Sequence, residues 1–390
     1  MRMSELTGNW NYPTNIRAGA GRIKELADAC QVLGMKSPLL ITDPGLANLP
    51  MVKEALENCQ KEGLNVGLFS NIQGNPTGKN IEDGVNFCQK GQYDGVIAFG
   101  GGSALDAAKA IALMVGQDRP LWDYEDVGDN FLRVNESGMI PVVAVPTTAG
   151  TGSEVGRASV ITDTEKQLKK IIFHPKMLPE IVILDPELTL GLPPNITAAT
   201  GMDALSHNLE ALCSPFYHPM AEGIAMEGVR LIKENLQKVV LDGSDVDARM
   251  QMLLASTMGA TAFQKGLGAM HAIAHSLGAL YGAHHGLLNA ILMPYVLKEN
   301  RYVIEARMER LARYINLTDT SFDGLMTWVL LMRTALNIPH TLADINITTE
   351  DAERVGSMSF ADPCAGGNPI QFTVEKYQKI FVNAVNGKLI

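Results

Sequence analysis

Short apolar runs and helical-period stretches alternate through the first half of the chain. Residues 38–42 (PLLIT) form one such run, closed by Asp43 and Pro44, and predict a buried strand with its exit turn. Val52, Ala55, Leu56 and Cys59 fall on one side of a helix over 50–62, and residues 65–69 and 81–90 predict a further strand and helix. The clearest unit is YDGVIAFGGGSALDAAKAIALMV (93–115): a strand at 96–99, a glycine turn at 100–102 and a helix at 103–115. More strands are predicted at 141–145, 159–162 and 181–184, the last two flanking a charged turn at 163–166. Strand and helix in alternation imply a parallel sheet with helices on both faces. From about Thr197 onward the segments are long, helical in period and rich in Ala, Leu and Met, with almost no strand signal. The boundary is expected near residues 191–194, giving a Rossmann-like α/β domain over 1–192 and an all-α domain over 193–390.

The helical half carries the most pointed chemistry. Residues 266–286 (GLGAMHAIAHSLGALYGAHHG) hold four of the eight histidines. His271 and His275 are one helical turn apart, and His284 and His285 follow where a turn can fold them back. Upstream, Asp203 and His207 repeat the one-turn spacing. Imidazoles joined by a carboxylate are the donors of an open, catalytic divalent-metal site, although spacing alone does not choose among these candidates.

The α/β half offers an anion site. Gly100, Gly101, Gly102 and Ser103 lie between a strand and a helix N-terminus, where glycine permits close approach and free N–H groups favour a phosphate. The turn is neither GxGxxG nor a Walker loop. Asp43, at a strand end, is placed to accept from a ribose diol and repel a 2′-phosphate, and PTTAGTGSE (146–154) follows another strand directly. Lys169 is the best-placed cation of this half. A dinucleotide half beside an open metal site points to alcohol oxidation, in which the metal acidifies the hydroxyl and a nicotinamide takes the hydride.

Composition narrows the partners. A formal net charge of −10 argues against nucleic acid or an anionic membrane surface. Five scattered cysteines without a CxxC suit a reducing compartment, and MRMSELTGNWNYPTN lacks the apolar core of a signal peptide, so a cytoplasmic location is expected.

Five ordered motifs resemble the iron-containing, group III alcohol dehydrogenase family, which includes lactaldehyde reductase and butanol dehydrogenase. They are GGGSxxDxAK at 100–109, PTTAGTGSE at 146–154, GMDALxH at 201–207, GLGxxHxxAHxLG at 266–278 and GGNP at 366–369. The resemblance implies the dehydroquinate synthase-like architecture of an α/β domain followed by a helical one. It further implies Asp203, His207, His271 and His285 as metal ligands, with ferrous iron the usual ion and zinc the alternative. His275 is then spared from coordination, lies near the nicotinamide and relays the alcohol proton. NAD is expected at Asp43, Asn75, Gly101, Gly102, Ser103, Asp106, Thr147, Thr148, Thr151 and Lys169. A homo-oligomer, a dimer or larger, is also implied.

Three positions depart from the family pattern. His284 replaces the usual Pro before the last ligand, Gln264-Lys265 replaces Asn-Ala, and Ile370 replaces the Arg after NP. Lys265 or His284 is therefore expected to favour a substrate with a distal carboxylate, such as an ω-hydroxy acid or its semialdehyde. The leading expectation is NAD-dependent interconversion of a primary or short-chain alcohol and its aldehyde. Alternatives are a zinc polyol dehydrogenase of the glycerol type and, remotely, an NAD-using dehydroquinate synthase-like lyase.

Overall fold

A computed structural model describes residues 14–389, so the N-terminal stretch read as lacking a signal peptide's apolar core lies almost wholly outside the described residues. These residues form two compact units, one running to Gly191 and one from Leu192.

In the first unit, β1 (Asn15–Ala18), β2 (Pro38–Ile41), β3 (Gly67–Phe69), β4 (Gly95–Gly100), β5 (Val142–Pro146) and β8 (Ile181–Leu184) form one sheet in the order β1-β8-β5-β4-β2-β3. Every pairing in it is parallel. Parallel strands need helical crossovers, here α1 (Leu26–Val32), α2 (Pro50–Lys61), α3 (Gly78–Gly91) and α4 (Gly102–Met114). Alternate residues Leu40, Ile97, Phe99, Val143 and Val145 pack with Leu26, Cys30, Val52, Ala55 and Cys59 of α1 and α2. Their period-two neighbours point to the opposite face. From β2 the chain turns to one side, toward β3, and from β4 to the other, toward β5. The carboxyl ends of β2 and β4 thus flank a topological switch point, the crevice where open α/β sheets bind ligands.

The charged turn after 163 does not lead to β8 as expected. It closes a hairpin of β6 (Ala158–Asp163) with β7 (Leu168–Phe173), an antiparallel pair outside the main sheet. β7 reads LKKIIF, and its two lysines mask the strand signal. Lys170 is buried, ion-paired with Glu125 and Asp163 at 3.1 and 3.3 Å and set over the Trp122 ring.

The second unit is helical throughout its described residues: α5 (Pro194–Cys213), α6 (Pro219–Leu241), α7 (Val246–Ala262), α8 (Ala269–Tyr281), α9 (His285–Tyr314), α10 (Phe322–Ala335), α11 (Ala352–Ala361) and α12 (Val374–Asn386). Every residue of α5 from Thr197 to its end is buried, so it is a central helix rather than an amphipathic surface one. Among the described residues no helix is long and apolar enough to cross a membrane.

Candidate active site

Two helices and the start of a third assemble the histidine cluster. Asp203 and His207 stand one turn apart on α5, His271 lies in the first turn of α8, and His285 opens α9. One donor atom from each of these four lies within 4.8 Å of all the others. The His207 and His271 rings stack at 4.7 Å between centroids, and His285 Nε2 is 3.7 Å from Asp203 Oδ1. Gly286 permits this approach, because a Cβ there would lie 2.4 Å from the Ala199 carbonyl oxygen and 3.0 Å from Asp203 Cβ.

The donor set fits a divalent ion. Asn289, one turn beyond His285, places Nδ2 2.8 Å from Asp203 Oδ1, 3.2 Å from His271 Nε2 and 3.1 Å from His285 Nε2. Three acceptor atoms therefore aim at one electropositive point. The buried Asn289 Oδ1 has no hydrogen-bond partner among the described residues. Three nitrogens and one oxygen suit ferrous iron or zinc.

Glu210 sets the orientation of His271. It follows Asp203 and His207 at seven and three residues, hence on the same face of α5. Oε2 accepts the Gly268 N–H at 2.8 Å and meets His271 Nδ1 at 2.7 Å, while Oε1 accepts the Met270 N–H at 2.7 Å. Asn368 of the GGNP motif accepts the Ala269 N–H at 3.2 Å, so the N-terminus of α8 is filled from inside the protein. With Nδ1–H held by Glu210, the Nε2 lone pair of His271 faces the cluster. Burial opposes charge on His271, but Glu210, Asp203 and Asp362 together outweigh it and the pKa is raised. The signal for Glu210 in the sequence is the heptad continuation of the Asp203-His207 pair, a spacing that does not by itself distinguish a histidine-orienting carboxylate from an ordinary helical one.

His275 stands beside this set, its ring stacked on His285 at 5.3 Å. Its Nδ1 meets Asp362 Oδ2 at 3.0 Å, a partner that sequence spacing did not reveal. Burial raises the Asp362 pKa, but the facing His275 pulls it down to a net value below the ordinary one. Cys364 lies two residues on, and burial, then Asp362 and Glu210, push its thiol pKa up.

The expectation for Lys265 is corrected. Lys265 is 1% exposed and its Nζ is spent on Glu222 Oε1 at 2.9 Å and the Leu212 carbonyl at 3.3 Å, so its charge is matched internally rather than offered to a substrate carboxylate. A buried ammonium must pair, and Glu222 on α6 is the partner within reach. His284 is the N-cap of α9, its Nδ1 accepting the Leu287 N–H at 3.4 Å. Ile370 contributes its carbonyl to Asn368 Nδ2 at 2.7 Å.

In the α/β unit, Gly101 caps α4 without any side-chain cap, and the first bond of the helix runs from Leu105 N–H to Gly101 O. The N–H groups of residues 102, 103 and 104 precede that bond and point out of the helix end. A Cβ on Gly102 would lie 2.5 Å from Thr151 Cγ2, and one on Gly101 3.4 Å from Thr148 Cγ2, which puts both threonines against the turn. Ser103 Oγ accepts the Asn75 N–H at 3.3 Å, Asn75 Oδ1 accepts from Lys169 Nζ at 2.8 Å, and Thr147 N–H reaches Gly100 O at 2.9 Å. Asn75, Gly101, Gly102, Ser103, Thr147, Thr148, Thr151 and Lys169 thus gather at the carboxyl end of β4 and β5. Asp43 lies across the switch point, one of its oxygens already accepting the Gly45 and Leu46 N–H groups at 2.8 and 3.1 Å.

Asp106 has partners within the protein. Its oxygens accept the Ser153 hydroxyl at 2.5 Å and the Val160 N–H at 2.9 Å, with the buried Lys109 ammonium 3.3 Å away. Lys109 also donates to the carbonyls of Ser153 and Ala158 at 3.0 and 2.5 Å. Burial lowers the Lys109 pKa against the pull of Asp106. The Asp-Lys pair of GGGSxxDxAK braces the 146–154 loop from below, with both Asp106 oxygens engaged by the protein.

Known proteins show the family to which the chain belongs. The pattern described as "Iron-containing alcohol dehydrogenase" matches residues 13–186, and that of the "Fe-containing alcohol dehydrogenase family, C-terminal" matches residues 197–385. The 4-hydroxybutyrate dehydrogenase of Cupriavidus necator is 36% identical over 379 residues, spanning 95% of this chain and 97% of that protein. The NAD-dependent methanol dehydrogenase of Bacillus methanolicus is 34% identical over 387 residues, spanning 97% and 100%. A solved structure of 1,3-propanediol oxidoreductase superposes with a TM-score of 0.92 at 33% identity, covering 96% of this chain and 99% of that one. With both halves of the family pattern matched in order and full-length relatives at this identity, the chain is an oxidoreductase and belongs to the iron-containing alcohol dehydrogenase family.

Proposed function

We propose that this enzyme uses NAD and a ferrous ion to interconvert a primary or short-chain alcohol and its aldehyde. The observation that carries the reading is the convergence of Asp203, His207, His271 and His285, with Glu210 orienting one imidazole and Asn289 marking the common point. When bound, the ion supplies Lewis acidity toward an alcohol oxygen and NAD accepts the hydride.

The remaining work belongs to the chain. The helical unit holds the ion through those four side chains, and the α/β unit holds NAD. The uncapped start of α4 and the Ser103 hydroxyl receive the pyrophosphate, and the dipole of α4 favours its charge. Asp43 disfavours a 2′-phosphate. His275 donates Nδ1–H to Asp362, so Nε2 keeps a lone pair and takes the alcohol proton. The name of the Bacillus methanolicus relative supports NAD as the acceptor.

The test strips the metal, reloads anaerobically with ferrous iron or zinc, and follows NADH formed from butanol, 1,3-propanediol, glycerol and 4-hydroxybutyrate. Iron-dependent turnover of the primary alcohols is expected. Zinc-dependent turnover of glycerol alone would replace this reading with a polyol dehydrogenase, and NAD binding without turnover would refute it.

A further inference from the structure

The helical unit contains a second cluster of metal-ligating side chains. His275 on α8 joins Asp362 and Cys364, from the turn that follows α11, and one donor atom of each lies within 4.8 Å of the other two. His275 Nδ1 and Asp362 Oδ2 are 3.0 Å apart. Two donors each about 2.1 Å from one ion, at angles between a right angle and tetrahedral, stand roughly 3.0–3.4 Å apart.

The loop donors are held in place. Asp362 Oδ1 accepts the Cys364 N–H at 2.8 Å, and Gly367 at the end of the same turn abuts the backbone of Leu267, where a Cβ would lie 2.0 Å from its carbonyl oxygen. The side chains of His275 and Asp362 are each 10% exposed, enclosed yet open to a small ion. A carboxylate and a thiolate balance a divalent charge. The sulfur also separates this cluster from the all-nitrogen-and-oxygen set next to it, since thiolate favours zinc over harder ions.

We propose that His275, Asp362 and Cys364 form a second, zinc-selective site adjoining the four-ligand centre, and that its occupation inhibits the enzyme. Zinc binds with release of the thiol proton to solvent. Ligation at Nδ1 moves the imidazole proton to Nε2, which then has no lone pair for the alcohol proton. The inhibitory consequence rests on the role of His275 proposed above; the site itself does not.

The test titrates Co2+ into the metal-stripped, full-length protein. The first centre contains no sulfur and the other four cysteines are buried, so a thiolate-to-cobalt charge-transfer band in the near ultraviolet reports Cys364. A second equivalent bearing that band is expected, displaced by Zn2+ and absent from Cys364→Ser, which retains the first equivalent. Asp362→Asn should weaken the second equivalent at least tenfold and serves if Cys364→Ser misfolds. In the iron-loaded enzyme, zinc inhibition should weaken at least tenfold in Cys364→Ser. A single equivalent of cobalt, or a band that survives Cys364→Ser, would overturn the site. The band is read without turnover, so it stands or falls separately from the proposed reaction.

Discussion

Two helix N-termini, one in each unit, are built in opposite ways. α4 begins at a glycine turn with no side-chain cap, leaving N–H groups for something from outside. α8 begins at a glycine as well, but Glu210 takes the Gly268 and Met270 N–H groups and Asn368 takes that of Ala269. The helix end attracts negative charge in both cases. At α4 a phosphate can supply it; at α8 a carboxylate of the chain supplies it and hands the surplus to a histidine. A helix start is therefore a ligand site only where the protein has not already filled it.

Removing a ligand should have the largest effect on this contrast. Asp203→Ala should abolish retained metal and cut turnover by roughly three orders of magnitude, the several kcal/mol that a Lewis acid contributes. NAD binding, measured by titration, should be unchanged; loss of both would join two functions proposed above for separate units.

Glu210→Gln comes next. It keeps one acceptor for the α8 N–H groups and removes the charge that orients His271, so metal affinity should fall roughly 10–100-fold. Competition with a chelator measures this. Glu210→Ala should also lower Tm, because each N–H left buried and unpaired costs about 1–3 kcal/mol.

Gly102→Ala acts on the other helix start. Its Cβ would meet Thr151 at 2.5 Å and intrude where the phosphate approaches, so NAD affinity should fall about tenfold, the scale of one lost charge-assisted hydrogen bond. Metal content should not change. A Gly102→Ala protein with full NAD affinity would mean that the α4 end is not the phosphate site.

The smallest effect on activity is expected for Lys265→Met. The Michaelis constants for butanol and 4-hydroxybutyrate should stay within about twofold of each other's change, a shift below about 0.5 kcal/mol. Stability should fall by about 1–2 kcal/mol, less than for a fully enclosed pair, because Glu222 is 25% exposed. A selective loss for 4-hydroxybutyrate would restore the lysine to the substrate.

Periodicity and local chemistry made much of this legible. The strand-turn-helix unit at 93–115 lies within one or two residues of β4 and α4, because glycine punctuation and apolar period are local signals. β1 and β7 escaped notice: NIRA has no apolar run and LKKIIF hides Lys170, whose partners Glu125 and Asp163 come from elsewhere.

The sequence by itself determined which side chains share a helix face, hence the Asp203-His207 pair, and which glycine turn opens a helix directly after a strand. Only the tertiary structure decided how charges are spent. Asp106 turned inward to Ser153 and Val160, and Lys265 to Glu222. The reason is physical: helical spacing is fixed within a few residues, whereas the partner of a buried charge is whatever group the fold brings within 3 Å or so.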